Sequence, residues 1–438
     1  MRVLFVYICI VHFAFVCGHP LGNISTTFVD NWSSYWFLRL VVNILGYATV
    51  LVPGAIIIFM IKRSNYLDRK DKSCIQKCLQ LCIYGTPEDR SGTENVQTKL
   101  TFSNGEKSTY QEAFQLLFCF FGLQISYLTW GVLQEKIMTQ KYKDVLGETQ
   151  IFTDSQFLVF VNRVLAFIFS GVYILISKQP HHVAPLYKYS YCSFSNIMSS
   201  WCQYEALKFV SFPIQILAKA SKIIPVMLMG KVVSKKTYSL HEYASAVMIS
   251  VGMVLFLLSQ GEQLDRGTVT SFSGFVILVG YMLFDSFTSN WQGKLFNQYH
   301  MSSVQMMCGV NLFSCIFTSV SLLQQGAFYR SVSFMFQFSQ FFMDCVLLSI
   351  CSAMGQLFIF YTISQFGPVA FVIMMTVRQA IAILLSCLIY QHPLNIEGGI
   401  GITIVFSATF FKVYYNRKIK LAKQAQKMKK DLLNGQTV

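Results

Sequence analysis

Charged side chains are scarce in this sequence. They make up 13% of the 438 residues, whereas 54% of the residues are hydrophobic. Acidic residues are the rarer kind, with 20 against 35 lysines and arginines. Because soluble domains of this length carry about twice that share of charge, the composition predicts an all-α polytopic membrane protein in a lipid bilayer.

Motifs that carry catalytic chemistry are also absent from the sequence. It contains no HExxH, no Gly-rich phosphate loop and no GxSxG, and His181-His182 have no partners at metal-ligand spacing. The 13 cysteines include no CxxC pair, which argues against a zinc site and a disulfide framework. We therefore expect no enzyme, no metal and no cofactor.

The N-terminal region predicts passage into a lumen. Residues 1–18 contain one arginine and a short apolar run, which is typical of a signal peptide, the favoured reading, or of a short anchor. Residues 19–35 hold two glycosylation sequons, at Asn23 and Asn31, which are useful only in a lumenal segment. Residues 36–61 then predict an extra N-terminal transmembrane helix.

A polar cytosolic loop is predicted over residues 62–112. Within it Cys74, Cys78 and Cys82 recur every four residues, so they share one helix face. That face fits either reversible palmitoylation or ordinary amphipathic packing beside the membrane, and the second is favoured.

Ten core spans follow this loop, and they divide into two groups of five. The groups occupy 113–259 and 271–415, and a basic tail of residues 416–438 ends the chain. The spans are 113–134, 156–177, 190–207, 212–233, 240–259, 271–291, 303–324, 343–364, 368–390 and 396–415.

Lysine and arginine positions predict the orientation. With the tail in the cytosol, the cytosolic segments hold 23 of these residues and the lumenal segments hold 6. Cytosolic loops of membrane proteins are enriched in both residue types. The basic tail is therefore interpreted as a determinant of topology, and no nucleic-acid partner is expected.

The stretch from Ala206 to Ser234 is the centre of the functional prediction. It is apolar and long enough to span a bilayer, yet Lys219 and Lys222 lie inside it. A spacing of three places both ammonium groups on one helix face, where they need an anion. The alternative is that both side chains snorkel to an interface.

Further polar side chains within or beside the spans are candidates for the same anion-binding site. Arg378 lies in a later span, and Arg163 either joins the same site or pairs with Glu205 or Asp285. Arginine grips phosphate or sulfate with two parallel hydrogen bonds, and lysine acts as a point charge. Tyr204 could stack on a base, although core packing is the commoner role of an aromatic residue.

A weak internal repeat places two of these cations in equivalent positions. The segment starting at Lys222 aligns with the segment starting at Arg378, and each leads into an apolar, small-residue span. Because five spans separate the copies, the second half is inverted relative to the first. Chance similarity of a basic residue followed by an apolar run is the alternative.

Several long runs resemble the nucleotide-sugar transporter family of the drug/metabolite transporter superfamily. They include LLSCLIYQHPLNIEGGIGITIVFSATFFK, DSFTSNWQGKLF, LQISYLTWGVLQEKIMT and SSWCQYEALKFVSFPIQILAKASKIIPVMLMGK. The similarity covers roughly residues 35–412. It is strongest to the branch of that family that carries 3′-phosphoadenosine 5′-phosphosulfate (PAPS).

This resemblance implies ten core helices in a five-plus-five inverted repeat and alternating access across the Golgi membrane. It implies PAPS as the substrate and an adenosine phosphate as the counter-substrate, and it leaves a homo-oligomer open. Two alternatives stay open: a transporter of another nucleotide or nucleotide sugar, and a non-transporting membrane scaffold with the same fold, in which the intramembrane cations serve packing. The family's basic residues on its fourth and ninth core helices match Lys219, Lys222 and Arg378. Gln379 follows Arg378 and joins the candidate site. The run Met-Thr-Val-Arg-Gln that contains both residues departs from the pattern of common sugar-nucleotide transporters.

Overall fold

A computed structural model describes residues 36–64, 74–85, 109–261, 272–389 and 398–418. Within these ranges it omits residues 144–148, 153, 178, 180–181, 207–208, 210–221, 325, 402, 409–410, 413 and 416–417. The predicted signal segment 1–18 and both sequons therefore lie outside the described residues.

Helices make up most of the described chain. The first six are α1 (Trp36–Ser64), α2 (Cys74–Ile83), α3 (Thr109–Thr139), α4 (Ser155–Ile176), α5 (Tyr187–Ala206) and α6 (Ile223–Ser234). The next five are α7 (Leu240–Gly261), α8 (Phe272–Tyr299), α9 (Ser303–Gln324), α10 (Ala327–Gln337) and α11 (Ser339–Ile389). Between α3 and α4, strands β1 (Lys141–Lys143) and β2 (Thr149–Ile151) pair antiparallel, with Tyr142 opposite Gln150.

Length and composition suit many of these helices to a bilayer. Among the described residues, six stretches can span one: Ile44–Ser64, Ala113–Gln134, Gln156–Ile176, Phe272–Tyr299, Ser303–Leu323 and Ser339–Met375. Two apolar helices are shorter, Ile223–Ser234 and Gly398–Ala408. The mostly helical, polytopic class is confirmed, whereas the ten-span count and the inverted repeat stay predictions.

A break in α11 separates two of the predicted spans. Gly367 has φ 82° and ψ 170°, and Pro368 follows it. Glycine adopts this positive φ without the penalty that a Cβ would impose, and proline cannot donate the helical hydrogen bond. The boundary predicted between spans 343–364 and 368–390 therefore lies at a backbone discontinuity.

The chain divides into two compact units. Unit 1 is Met1–Ile197 with Leu295–Tyr361, and unit 2 is Met198–Lys294 with Thr362–Val438. Each unit draws on both predicted repeats. In unit 1, α9 packs against α4 and α1, and the buried ring of Tyr47 lies 5.9 Å from the rings of Phe194 and Phe317.

One end of unit 1 contains features that the sequence prediction missed. The ring of Tyr142, on the hairpin, is buried among aromatic residues that include Phe338 and Phe341. Its hydroxyl donates to Asp344 Oδ2 at 3.1 Å, and Lys136 Nζ donates to Asp344 Oδ1 at 2.9 Å. Burial, and then the hydrogen bond with Asp344, raise the pKa of Tyr142. This cluster ties the hairpin to α3 and α11.

Candidate substrate-binding site

An ion pair joins α6 and α8 in unit 2. Lys222 Nζ donates to Asp285 Oδ2 at 2.8 Å. The lysine side chain is 12% exposed and the aspartate side chain 28% exposed, so the aspartate retains more access. In a membrane protein, charged groups at such a position mark a functional site by default.

The N-terminus of α6 lies at this ion pair. Lys222 is the N-cap of α6, and Pro225 occupies the third helical position. Proline is tolerated in the first turn because the N–H groups there lack intrahelical acceptors. The positive end of the α6 dipole therefore lies at the residue that carries this ammonium.

Close packing of α6 on α8 fixes the pair. Asn290 Nδ2 donates to the carbonyl oxygen of Val226 at 2.8 Å and to that of Ser286 at 2.9 Å. A Cβ at Gly230 would lie 2.9 Å from Asn290 Oδ1 and would collide with the Tyr238 hydroxyl. The absent side chain at Gly230 thus permits this contact between α6 and α8.

Arg163 lies on α4 in unit 1 and has neutral polar surroundings. Its Nη1 donates to Asn311 Oδ1 at 3.4 Å. Asn311 is fully buried, and its Nδ2 donates to Gln356 Oε1 and to the Met307 carbonyl oxygen, both at 2.8 Å. Among the described ion pairs, none includes Arg163. Of its two predicted partners, Asp285 pairs with Lys222 and Glu205 is a buried residue of unit 2.

The other predicted site residues are described in less detail. Arg378 lies on α11 beyond the break at Gly367 and is partly exposed. The helical backbone of Tyr204 and Gln379 is described, but their side chains are not. Outside the described residues lie Lys219, Asn23 and Asn31. Lys222 lies beside a charged partner, Asp285.

Sequence reasoning missed the residues that position these cations. Asn290 and Asn311 are amides within apolar spans, which is the signal that could have found them. Asn311 lies 148 residues from Arg163 and Asn290 lies 64 residues from Val226, so these pairings carry no local sequence pattern. Among the described residues, no group of three or more His, Cys, Asp or Glu could hold a metal ion.

Comparison of the sequence with known proteins identifies a family of membrane carriers. The model of the UAA transporter family matches residues 115–416. The chain belongs to the UAA transporter family.

The names of individual relatives state their substrates. Adenosine 3′-phospho 5′-phosphosulfate transporter 1 of Homo sapiens is 51% identical over 392 residues, 89% of this chain and 90% of the relative. The protein of the same name in Drosophila melanogaster is 52% identical over 391 residues, 88% of this chain and 84% of the relative. UDP-galactose/UDP-glucose transporter 5 of Arabidopsis thaliana is 36% identical over 333 residues, 75% and 95% of the two chains. These relatives are named as transporters, not as enzymes.

Proposed function

We propose that this protein carries PAPS from the cytosol into the Golgi lumen in exchange for an adenosine phosphate. The observation that carries the proposal is the 51–52% identity to proteins named for PAPS transport, over 88–89% of this chain. The imported PAPS would supply sulfation of glycans and proteins in the lumen.

The chemistry of the candidate site supports an anionic nucleotide. PAPS carries a 3′-phosphate and a 5′-phosphosulfate, and the spans contain the cationic residues Lys219, Lys222, Arg163 and Arg378. Lys222, at the N-terminus of α6, is suited to a phosphate or sulfate oxygen. Tyr204 is proposed to stack on the adenine and Gln379 to donate a hydrogen bond.

The proposed architecture is ten core helices in a five-plus-five inverted repeat that rocks between two access states. The repeats are 113–259 and 271–415, preceded by a signal peptide or short anchor at 1–18, a lumenal segment at 19–35, a further helix at 36–61 and a cytosolic loop at 62–112. The basic tail, 416–438, lies in the cytosol. Bound substrate neutralises the intramembrane cations, which allows the loaded carrier to change state.

Uptake by purified protein tests this function. Proteoliposomes are preloaded with adenosine 3′,5′-bisphosphate, AMP, UMP or nothing, and labelled PAPS is added outside. We expect saturable uptake that internal adenosine nucleotides accelerate and UMP does not. Absence of PAPS uptake by correctly inserted protein contradicts the proposal, and uptake by empty vesicles at the same rate contradicts obligatory exchange.

A UDP-sugar is the second candidate substrate. It is favoured by the 36% identity to an Arabidopsis protein named as a UDP-galactose/UDP-glucose transporter. The same vesicles, preloaded with UMP and given labelled UDP-galactose or UDP-glucose, discriminate between the two. Uptake of a UDP-sugar without uptake of PAPS would retain the family and change the substrate.

A further inference from the structure

The ion pair in unit 2 couples the candidate site to an internal carboxylate. Asp285 lies on α8 and reaches Lys222 Nζ at 2.8 Å. Any phosphate or sulfate that binds Lys222 directly must approach that ammonium beside this carboxylate. Since like charges that share one cation repel each other, the substrate and Asp285 compete.

The position of Asp285 depends on backbone contacts as well as on the ion pair. Tyr281, one turn earlier on α8, is 4% exposed, and Ser199 Oγ donates to its carbonyl oxygen at 3.5 Å. Asn290, just over one turn later, bonds the Val226 carbonyl oxygen on α6. Because α8 is anchored on both sides of Asp285, the side chain can release Lys222 while the helices stay packed.

Exposure distinguishes the two members of the pair. The Lys222 side chain is 12% exposed, so its charge needs a close anion whether or not substrate is present. The Asp285 side chain is 28% exposed, so the carboxylate is less enclosed than the ammonium with which it pairs. An ion pair with a purely structural role would not require one side chain to be more exposed than the other.

We propose that Asp285 is a resident counter-anion, which holds Lys222 in the empty carrier and is displaced by an anionic group of the substrate on loading. The inference rests on the proposed function and names a residue that sets its affinity and selectivity. An anion of low charge cannot displace the carboxylate, whereas PAPS brings several anionic groups at once. Competition weakens binding on both faces of the membrane and therefore speeds release.

The test compares Asp285→Asn with the wild type. Asparagine keeps an oxygen for Lys222 and removes the charge. We expect the KM for PAPS to fall by roughly tenfold, because a like charge beside the ligand is removed, and the maximal rate to fall as release slows. An unchanged or higher KM would overturn the proposal, since a residue that only orients Lys222 would weaken binding when altered.

Two controls isolate the role of the charge at this position. Asp285→Glu keeps the carboxylate and should keep the selectivity of the wild type. Asp344→Asn removes a carboxylate from the 2.9 Å ion pair with Lys136 in unit 1 and should leave the KM unchanged. If Asp285→Asn fails to fold, Asp285→Ser repeats the measurement with a smaller neutral side chain.

A second readout needs no transport. Inorganic sulfate is titrated against the purified protein while the melting temperature is recorded. We expect sulfate to stabilise Asp285→Asn at concentrations that leave the wild type unchanged; equal stabilisation of both proteins overturns the proposal. If the wild type takes up no PAPS, the proposed function fails, and the sulfate titration still reports whether Asp285 competes with an anion at Lys222.

Discussion

The two units place their partly buried cations in different environments. In unit 2, Lys222 lies 2.8 Å from the carboxylate of Asp285. In unit 1, the hydrogen bond of Arg163 runs to a neutral amide, 3.4 Å away on Asn311. A carboxylate cancels a positive charge, whereas an amide solvates it without cancelling it. Lys222 in unit 2 is therefore paired with a negative charge, whereas the described hydrogen bond of Arg163 in unit 1 leaves its positive charge uncancelled.

Replacing the paired cation should have the largest effect. Lys222→Gln removes the ammonium from the candidate site, and we expect exchange to fall by about 100-fold, since a hydrogen bond from a charged donor to the substrate contributes about 1.5–3 kcal/mol. Stability should fall too, because Asp285 loses its cation. Exchange rate and melting temperature are measured together.

Lys222→Arg is the control for that change. It keeps the charge, so its melting temperature should stay near that of the wild type while its KM rises, because a guanidinium is larger and planar. Wild-type exchange by the Lys222→Gln variant would show that the ammonium does not contact the substrate.

Arg163→Gln should have a different signature from Lys222→Gln. We expect exchange to fall by about tenfold, the loss of one charge-assisted hydrogen bond, while the melting temperature stays level or rises. Stability is retained because a partly buried cation without a described ion pair is removed. Exchange and melting temperature are again the readouts.

Asn311→Ala is the matched comparison in the same network. It removes the amide that bonds Gln356 and the Met307 carbonyl, and we expect it to cost about 1–3 kcal/mol of stability. If Arg163→Gln were the more destabilising change, Arg163 would be a structural residue and the contrast between the units would fail.

Helix packing behind the ion pair is tested at Gly230. Gly230→Ala places a methyl group against Asn290 Oδ1 and the Tyr238 hydroxyl, so we expect a loss of about 1–3 kcal/mol and a raised KM. Gly171→Ala on α4 is the control, because no atom lies within 4 Å of its Cβ position. That control should be neutral or slightly stabilising, as alanine favours helices. Equal melting temperatures for the two variants would contradict the packing.

The smallest expected effect is a pH dependence outside the spans. His182 lies in the loop before α5 and bonds the Tyr189 hydroxyl at 3.0 Å, and burial lowers its pKa. The folded state therefore disfavours the charged ring. Its contribution to stability is complete above about pH 6.5 and is lost as the pH falls towards the lowered pKa. Between pH 7.5 and 5 the melting temperature of the wild type should fall further than that of His182→Gln. Equal falls in the two melting temperatures would contradict this.

Much of the helical pattern follows from composition and local sequence. The apolar runs at 113–134, 156–177 and 303–324 coincide with α3, α4 and α9, and Gly367-Pro368 marks the break in α11. The β1–β2 hairpin and α10 were missed because they are short and because their order depends on aromatic contacts such as that of Tyr142 with Phe341.

The sequence singles out one member of the ion pair in unit 2. Lys222 stood out because a charge inside an apolar run is costly. Its partner did not, because Asp285 is 63 residues away and a contact over that separation leaves no periodic signal. The sequence also predicts one continuous helix through Lys222; the structure describes it from Ile223, with Pro225 in its first turn, and the part over residues 210–221 lies outside the described residues.

Removing both members of the ion pair tests the central claim most directly. The variant that combines Lys222→Gln with Asp285→Asn leaves no unpaired charge at this contact and should fold with a melting temperature near that of the wild type. The two proteins are reconstituted in parallel, and uptake of labelled PAPS against internal adenosine 3′,5′-bisphosphate is recorded. The account predicts saturable exchange by the wild type and almost none by the folded double variant. Equal exchange by both would show that the Lys222–Asp285 pair is a structural contact and that the substrate binds elsewhere.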